Sequence, residues 1–294
     1  LTTLMLGALA ADIFPAGVVQ MLGDAGDVGP MLTAHPGIAH VSFTGSTATG
    51  RRVMAAAADT MKRFTLELGG NDPAILLDDA DVAAVAPILF DGAMGNAGQV
   101  CLGVKRIYAP RALVPALGAA LVACAERAVV GDGRVAGTTI GPVQNAAQYA
   151  RLVDLLAEVR AQGRVLHGGA AIEGSGYYIA PTIVTDLPDA ARLVQEEQFG
   201  PIIPLLAYDD EAELVRRVND GPYGLGASVW TADAARGQAM AARIDSGLVW
   251  VNRLFDLPFD VPIGGAKQSG IGRHQGLAGV EEFTQIRIVN AALG

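Results

Sequence analysis

Cysteine is nearly absent: Cys101 and Cys124 are the only two in 294 residues. Two thiols cannot build a disulfide framework, so the expected compartment is a reducing one, the cytoplasm. Histidine is scarce too. None of the four, His35, His40, His167 and His274, stands in an H-E-x-x-H or similar setting, so no metal site is expected. Positive charge is also short, with 21 Lys and Arg against 30 Asp and Glu and a formal net charge of −9. Basic runs are missing, which excludes nucleic acid and an anionic membrane surface as expected partners. No apolar stretch reads as a membrane span. "LMLGALA" ends in Ala8-Leu9-Ala10, like a signal-peptide cleavage site, but it lacks a basic leader and reads as an amphipathic helix. The stretch Leu113 to Val130 is interrupted by Glu126 and Arg127 and reads as a core helix. The chain opens on Leu1 rather than Met, so it is expected to begin inside a longer protein.

What is present is a large apolar fraction, 51% of residues, enough for one large or two modest domains. Short apolar runs alternate with longer Ala-rich stretches, the rhythm of strand–helix–strand units. Strands are expected at "GVVQML", "AHVSF", "RFTLEL", "PAILL", "RIYA", "RVLHGG", "PIIPLLAY", "ASVW" and "GLVWVN". Helices are expected over about 2–13, over "STATGRRVMAAAAD", from near Asp81, from Ala112 and over Asn145 to Gln162. A Gly-rich stretch from Gly264 to Gly272 precedes a last helix and an apolar tail, "IRIVNAAL". This pattern predicts an α/β fold, a parallel sheet with helices on both faces.

Several stretches carry possible chemistry. In "VSFTGSTATG" a strand ends at Thr44 and Gly45-Ser46 opens a helix, whose unpaired first amides suit a phosphate. Arg51-Arg52 stand where a P-loop needs Lys-Ser/Thr, which leaves a dinucleotide pyrophosphate or an ordinary capped helix. "GDGRVA" at 131–136 matches a dinucleotide fingerprint by letter but follows a helix, and reads as a loop. In "FTLELGG", Phe64, Leu66 and Leu68 face one way and Thr65 and Glu67 the other. Glu67 is then either a strand-end carboxylate at a ligand site or a solvated one. Cys101, in "NAGQVC", has small neighbours that give a thiol access, or it is a small core residue.

Taken together these stretches resemble the NAD(P)-dependent aldehyde dehydrogenases. The words "PAGVV", "HPGIAHVSFTGSTATG", "TLELGG", "GQVC", "GPVQN", "GYYIAPTIV", "EEQFGP", "YGLGASVW", "GLVWVN", "IGGAKQSGIGR" and "EEFT" stand in order from residue 15 to residue 284. "LELGG" followed by "GQxC" at this separation is highly specific to that family. The resemblance implies oxidation of an aldehyde to a carboxylic acid with NAD or NADP. Cys101 would be the nucleophile, passing through a thiohemiacetal to a thioester, with its own amide donating to the oxyanion. Glu67 would be the general base for hydrolysis. Gly45 and Ser46 would hold the pyrophosphate, Glu197 the nicotinamide ribose, and Phe199 would flank the nicotinamide. Cys124 is left to packing. Asn252, Gly264, Gly265 and Lys267 lie in words that shape the active-site floor, and Leu102, Leu254, Phe255 and Phe259 suggest a hydrophobic aldehyde.

The resemblance also implies an aldehyde dehydrogenase-like organisation. Residues 1–69 would be the C-terminal part of a Rossmann-type dinucleotide-binding domain, and 70–267 the α/β catalytic domain. Residues 268–294 would supply a returning helix and a C-terminal strand that joins copies into a homodimer or homotetramer. Nothing matches the family's N-terminal half, including the asparagine that completes the oxyanion hole and the strand that grips the adenosine ribose. The chain as given is therefore expected to be an incomplete, inactive piece of such an enzyme. A truncated or structural relative without turnover is one competing reading. A cofactor-free cysteine hydrolase is the other, which would need a histidine beside Cys101.

Overall fold

A computed structural model describes residues 1–292. The strands His40–Thr44 and Arg63–Glu67 lie parallel, joined by the helix Thr47–Ala57. A short returning strand, Gly270–Ile271, pairs antiparallel with the second of them and sets Gly270 opposite Glu67. The helix starts where the sequence places it because Ser46 is its N-cap, its Oγ accepting from the Thr49 amide at 3.2 Å.

After Gly69-Gly70 the chain enters a seven-stranded sheet. Its spatial order is Leu248–Val251, Gly226–Trp230, Pro73–Leu76, Arg106–Pro110, Ile202–Tyr208, Thr182–Thr185 and Arg164–His167. The period of two along 74–77 separates its faces. Ile75 and Leu77 join a core covered by Leu152, Leu155 and Leu156 of the helix Ala146–Gln162 and by Leu214 of the helix Glu211–Asn219. Ala74 and Leu76 face the other way, into a core built with Leu89 and Phe90 of the helix Val82–Met94 and Leu117 and Leu121 of the helix Val114–Arg127. Cys124 is buried in this second core, as expected of a packing residue. Helices on both faces of one sheet give the α/β fold that the alternation predicts.

Two local expectations change. "GVVQML" (17–22) forms no strand, because no strand among the described residues runs alongside to bond its amides and carbonyls. The large sheet is not wholly parallel, since Arg164–His167 runs antiparallel to Thr182–Thr185. Gly168 and Gly169, with φ of +72° and +87°, turn the chain back there, and an antiparallel strand at the edge of a parallel sheet is a common solution. The tail over 285–292 has no regular structure and is exposed, with Ile286 at 92% and Ile288 at 88%. A strand needs a partner, and the single chain offers this segment none; positions 293 and 294 of the expected strand lie outside the described residues. Among the described residues no helix is long and apolar enough to cross a membrane.

An interior strand of the sheet sets the scale of the core. Ile75 is fully buried between the two helical layers. Ile75→Ala should lower the unfolding free energy by about 2–5 kcal/mol in denaturant titration, while Val135→Ala in the exposed 131–136 loop should change it by less than about 0.5.

Candidate active site

The turn at Gly45-Ser46 is built from the backbone. The Gly45 amide donates to the Glu67 carbonyl at 3.0 Å, tying the turn to the neighbouring strand end. A side chain at Gly45 would strike the Phe43 ring, whose Cζ would lie 2.5 Å from its Cβ. The Ser46 hydroxyl is taken up by the cap, so what the turn presents to a ligand is main chain and a helix start.

The segment before the cysteine is strained. Asn96, Ala97 and Gly98 follow one another in the left-handed region, with φ of 52°, 55° and 71°. Each non-glycine residue there costs about 1–2 kcal/mol, so the surroundings must hold the turn. Asn96 Nδ2 donates to the Gln99 carbonyl at 3.0 Å, and Gln99 Nε2 returns a bond to the Asn96 carbonyl at 2.9 Å. Gln99 Oε1 accepts from the Gln144 amide at 2.8 Å, fastening the turn to the next layer. A Cβ at Gly98 would lie 2.2 Å from the Gly200 carbonyl oxygen, so only glycine fits. Cys101 emerges from this turn half-buried, neither fully exposed nor a core residue. Burial raises its thiol pKa, and the charges of Asp72, Glu197 and Glu67 raise it further, against the Leu102 amide, which lowers it.

Glu197 and Phe199 come from the segment after the short helix Arg192–Gln195. Glu197 Oε1 accepts from the Gly70 amide at 3.1 Å, and its Oε2 sits where a Cβ on Gly69 would be, 2.3 Å away. The glycine pair is therefore required by a carboxylate laid across it. Burial raises the Glu197 pKa, opposed by Lys105 and Arg151. Two residues that the sequence reading did not single out hold this segment. Gln148 Nε2 donates to the Gln198 and Phe199 carbonyls at 2.8 and 2.9 Å, and Arg151 Nη2 to the Glu197 carbonyl at 2.8 Å. Their signal was available: two polar residues three apart on a helix whose other face is apolar.

One cavity of about 560 Å³ collects these parts, with Gly45, Ser46, Cys101, Glu197, Phe199 and Arg151 among its lining residues. Glu67 is not in its wall. It lies on the strand face opposite Leu66 and Leu68, with Oε1 buried and without a partner among the described residues. Burial raises its pKa, while Arg273 and the Gly265 amide lower it, and its charge reaches the Cys101 thiol. Of the expected floor residues, Asn252 clips a neighbouring strand instead. Its side chain bonds both the amide and the carbonyl of Thr231, at 2.9 and 2.8 Å. Lys267 is engaged with the Asn219 carbonyl at 2.8 Å and Asp245 at 3.2 Å.

The aldehyde dehydrogenase family model matches residues 1–289. The chain is 40% identical over 291 residues to the aldehyde dehydrogenase LUC3 of a Fusarium species, covering 98% of this chain and 62% of that protein. The crystal structure of a Mycobacterium tuberculosis aldehyde dehydrogenase complexed with NAD+ superposes with a TM-score of 0.92 at 37% identity, over 97% of this chain and 60% of that one. A mutant of aldehyde dehydrogenase C from Pseudomonas syringae, in complex with NAD+ and octanal, gives 0.84 at 37% identity over 89% and 54% of the two chains. The chain thus spans somewhat more than half the length of these relatives. The match across nearly all of it, in sequence and in fold, makes this chain a member of the aldehyde dehydrogenase family.

Proposed function

We propose that the protein oxidises an aldehyde to a carboxylic acid with NAD or NADP, through a thioester on Cys101. One observation carries this reading: the thiol, the Gly45-Ser46 turn, Glu197 and Phe199 line a single cavity. The cavity's features suit a dinucleotide. Glu197 keeps Oε2 free of protein donors among the described residues, ready for a ribose hydroxyl, while the Gly70 amide orients the carboxylate through Oε1. The Gly45-Ser46 helix start offers amides to the pyrophosphate, and the Phe199 ring an apolar wall to the nicotinamide. When bound, the nicotinamide supplies the acceptor for the hydride that leaves the substrate carbon.

The chain's own residues perform the remaining steps. Cys101 gives its proton to solvent water and its sulfur bonds the aldehyde carbon, placing a negative charge on the former carbonyl oxygen. The Cys101 amide donates to that oxygen. After hydride departure the acyl group remains on sulfur. Glu67, whose raised pKa makes it a stronger base than an ordinary glutamate, takes a proton from water as the water attacks the thioester. The acid leaves and the Cys101 thiol is restored. Residues 1–69 and 70–267 are read as the cofactor-binding and thiol-bearing units, and the exposed 285–292 tail as the strand that joins copies into a dimer or tetramer. An apolar aldehyde suits the surroundings. Leu254 packs against Gly92 of the helix Val82–Met94, and Phe255 stacks edge-on against Trp250 at 6.5 Å.

Iodoacetamide should label Cys101 well before buried Cys124, with dehydrogenase activity lost in parallel; equal labelling of both would overturn the assignment. Because burial and three carboxylates raise the thiol pKa, the labelling rate should still be climbing past the pKa of a free thiol, about 8.5. A plateau below that pH in a rate–pH series counts against it. Glu67→Gln should retain a burst of NADH in stopped flow, since hydride transfer does not need the hydrolytic base. Its steady-state turnover should fall about a hundredfold or more.

A further inference from the structure

Lys105 lies four residues beyond the nucleophile, and its side chain is sealed inside the protein at 1% exposure. A buried lysine needs hydrogen-bond acceptors and compensating charge. Lys105 has both. Its Nζ donates to the Gly98 carbonyl at 2.7 Å, the last residue of the left-handed turn that delivers Cys101. The same ammonium lies 5.2 Å from the centroid of the Phe199 ring, within cation–π range, on the wall assigned to the nicotinamide. Glu197 and Asp72 are the carboxyls whose charges act on it, and Cys101 is the third group that does so. Asp72 is 4% exposed and neither of its oxygens has a hydrogen-bond partner among the described residues.

The arginines of this region act on the carboxyls by charge but spend their hydrogen bonds away from the thiol's turn. Arg106 donates to the Asn71 and Val218 carbonyls and to the Tyr108 hydroxyl. Arg151 holds the Glu196 side chain and the Glu197 carbonyl, and Arg273 donates to the Gly272 and Gly265 carbonyls. Cys101 therefore stands among three carboxyls, Glu67, Asp72 and Glu197, and Lys105 is the cation that both bonds its turn and acts on two of them, Asp72 and Glu197.

We propose that Lys105 is a positioning residue for the nucleophile: it clamps the Gly98 carbonyl that aims Cys101, and its charge offsets the carboxylates around the thiol. This rests on Cys101 being the nucleophile. The two parts separate chemically. A glutamine at 105 keeps an N–H donor for the clamp without the charge, whereas a methionine keeps neither. Removing a neighbouring positive charge disfavours the thiolate, so the thiol pKa must rise.

The test is the pH dependence of iodoacetamide labelling at Cys101, followed by mass spectrometry in the full protein, with thermal melting as the control for folding. Lys105→Gln should move the midpoint up by about one pH unit while retaining most of the plateau rate. Lys105→Met should show the same upward shift and a plateau at least about tenfold lower, because the turn is no longer held. A merely structural lysine would lower the rate equally at all pH values, and an unmoved midpoint in both variants overturns the inference. Should neither variant fold, Glu197→Gln removes an opposing carboxylate and leaves Lys105 in place. It should move the midpoint down, and no movement there also overturns the inference. Cys101→Ser separates the two levels: retained turnover overturns the nucleophile reading itself, whereas lost turnover with unmoved midpoints overturns the role of Lys105 alone.

Discussion

The left-handed turn Asn96–Ala97–Gly98 is the constraint on which the rest of the site depends. Left to itself it would relax, since two of its residues bear side chains that disfavour this backbone. Holding it requires contacts from three directions. Gln99 and the Gln144 amide tie it to the layer above, Gly200 packs against Gly98 from the side, and Lys105 bonds it from below. The same segments carry the rest of the cavity. Gln198 Nε2 donates to the Lys105 carbonyl, and Gln148 donates to the carbonyls of Gln198 and Phe199. The wall and the thiol are thus parts of one hydrogen-bonded frame.

The join between the two sheets is governed by a different rule, that of close approach. Gly69 and Gly70 leave no side chain where Glu197 and Asp72 lie, and Gly226 does the same on the far side of Asp72. Bringing carboxyls so near to backbone removes water from them. Desolvation is accordingly the largest influence on Glu67, Asp72 and Glu197 alike, and each is shifted toward its neutral form. Space and proton affinity follow from the same glycine positions.

Much of this was legible in the amino-acid order because it is local. The helix start at Gly45-Ser46, the apolar strand along 73–77 and the small residues before Cys101 depend on neighbours a few residues away. The linear words also sufficed to gather Gly45, Cys101, Glu197 and Phe199 in one place. What escaped depends on distant partners. A lysine at 105 in "CLGVKR" reads as surface charge until the fold closes over it. Gln148 and Arg151 acquire meaning only when residues 197–199 are laid against their helix. The 17–22 segment has a strand's composition, but composition cannot supply the partner that a strand requires. Glu67 shows the finer limit: its strand end was readable, its position behind the cavity wall was not.

The environment of Cys101 has a consequence for its durability. Peroxide attacks the thiolate, not the protonated thiol, so oxidation to sulfenic and then to irreversible acids tracks the ionised fraction. A thiol whose burial, more than its neighbouring carboxyls, raises its pKa ionises little at neutral pH. The Cys101 thiol is thereby held mainly in its chemically quiet, protonated form.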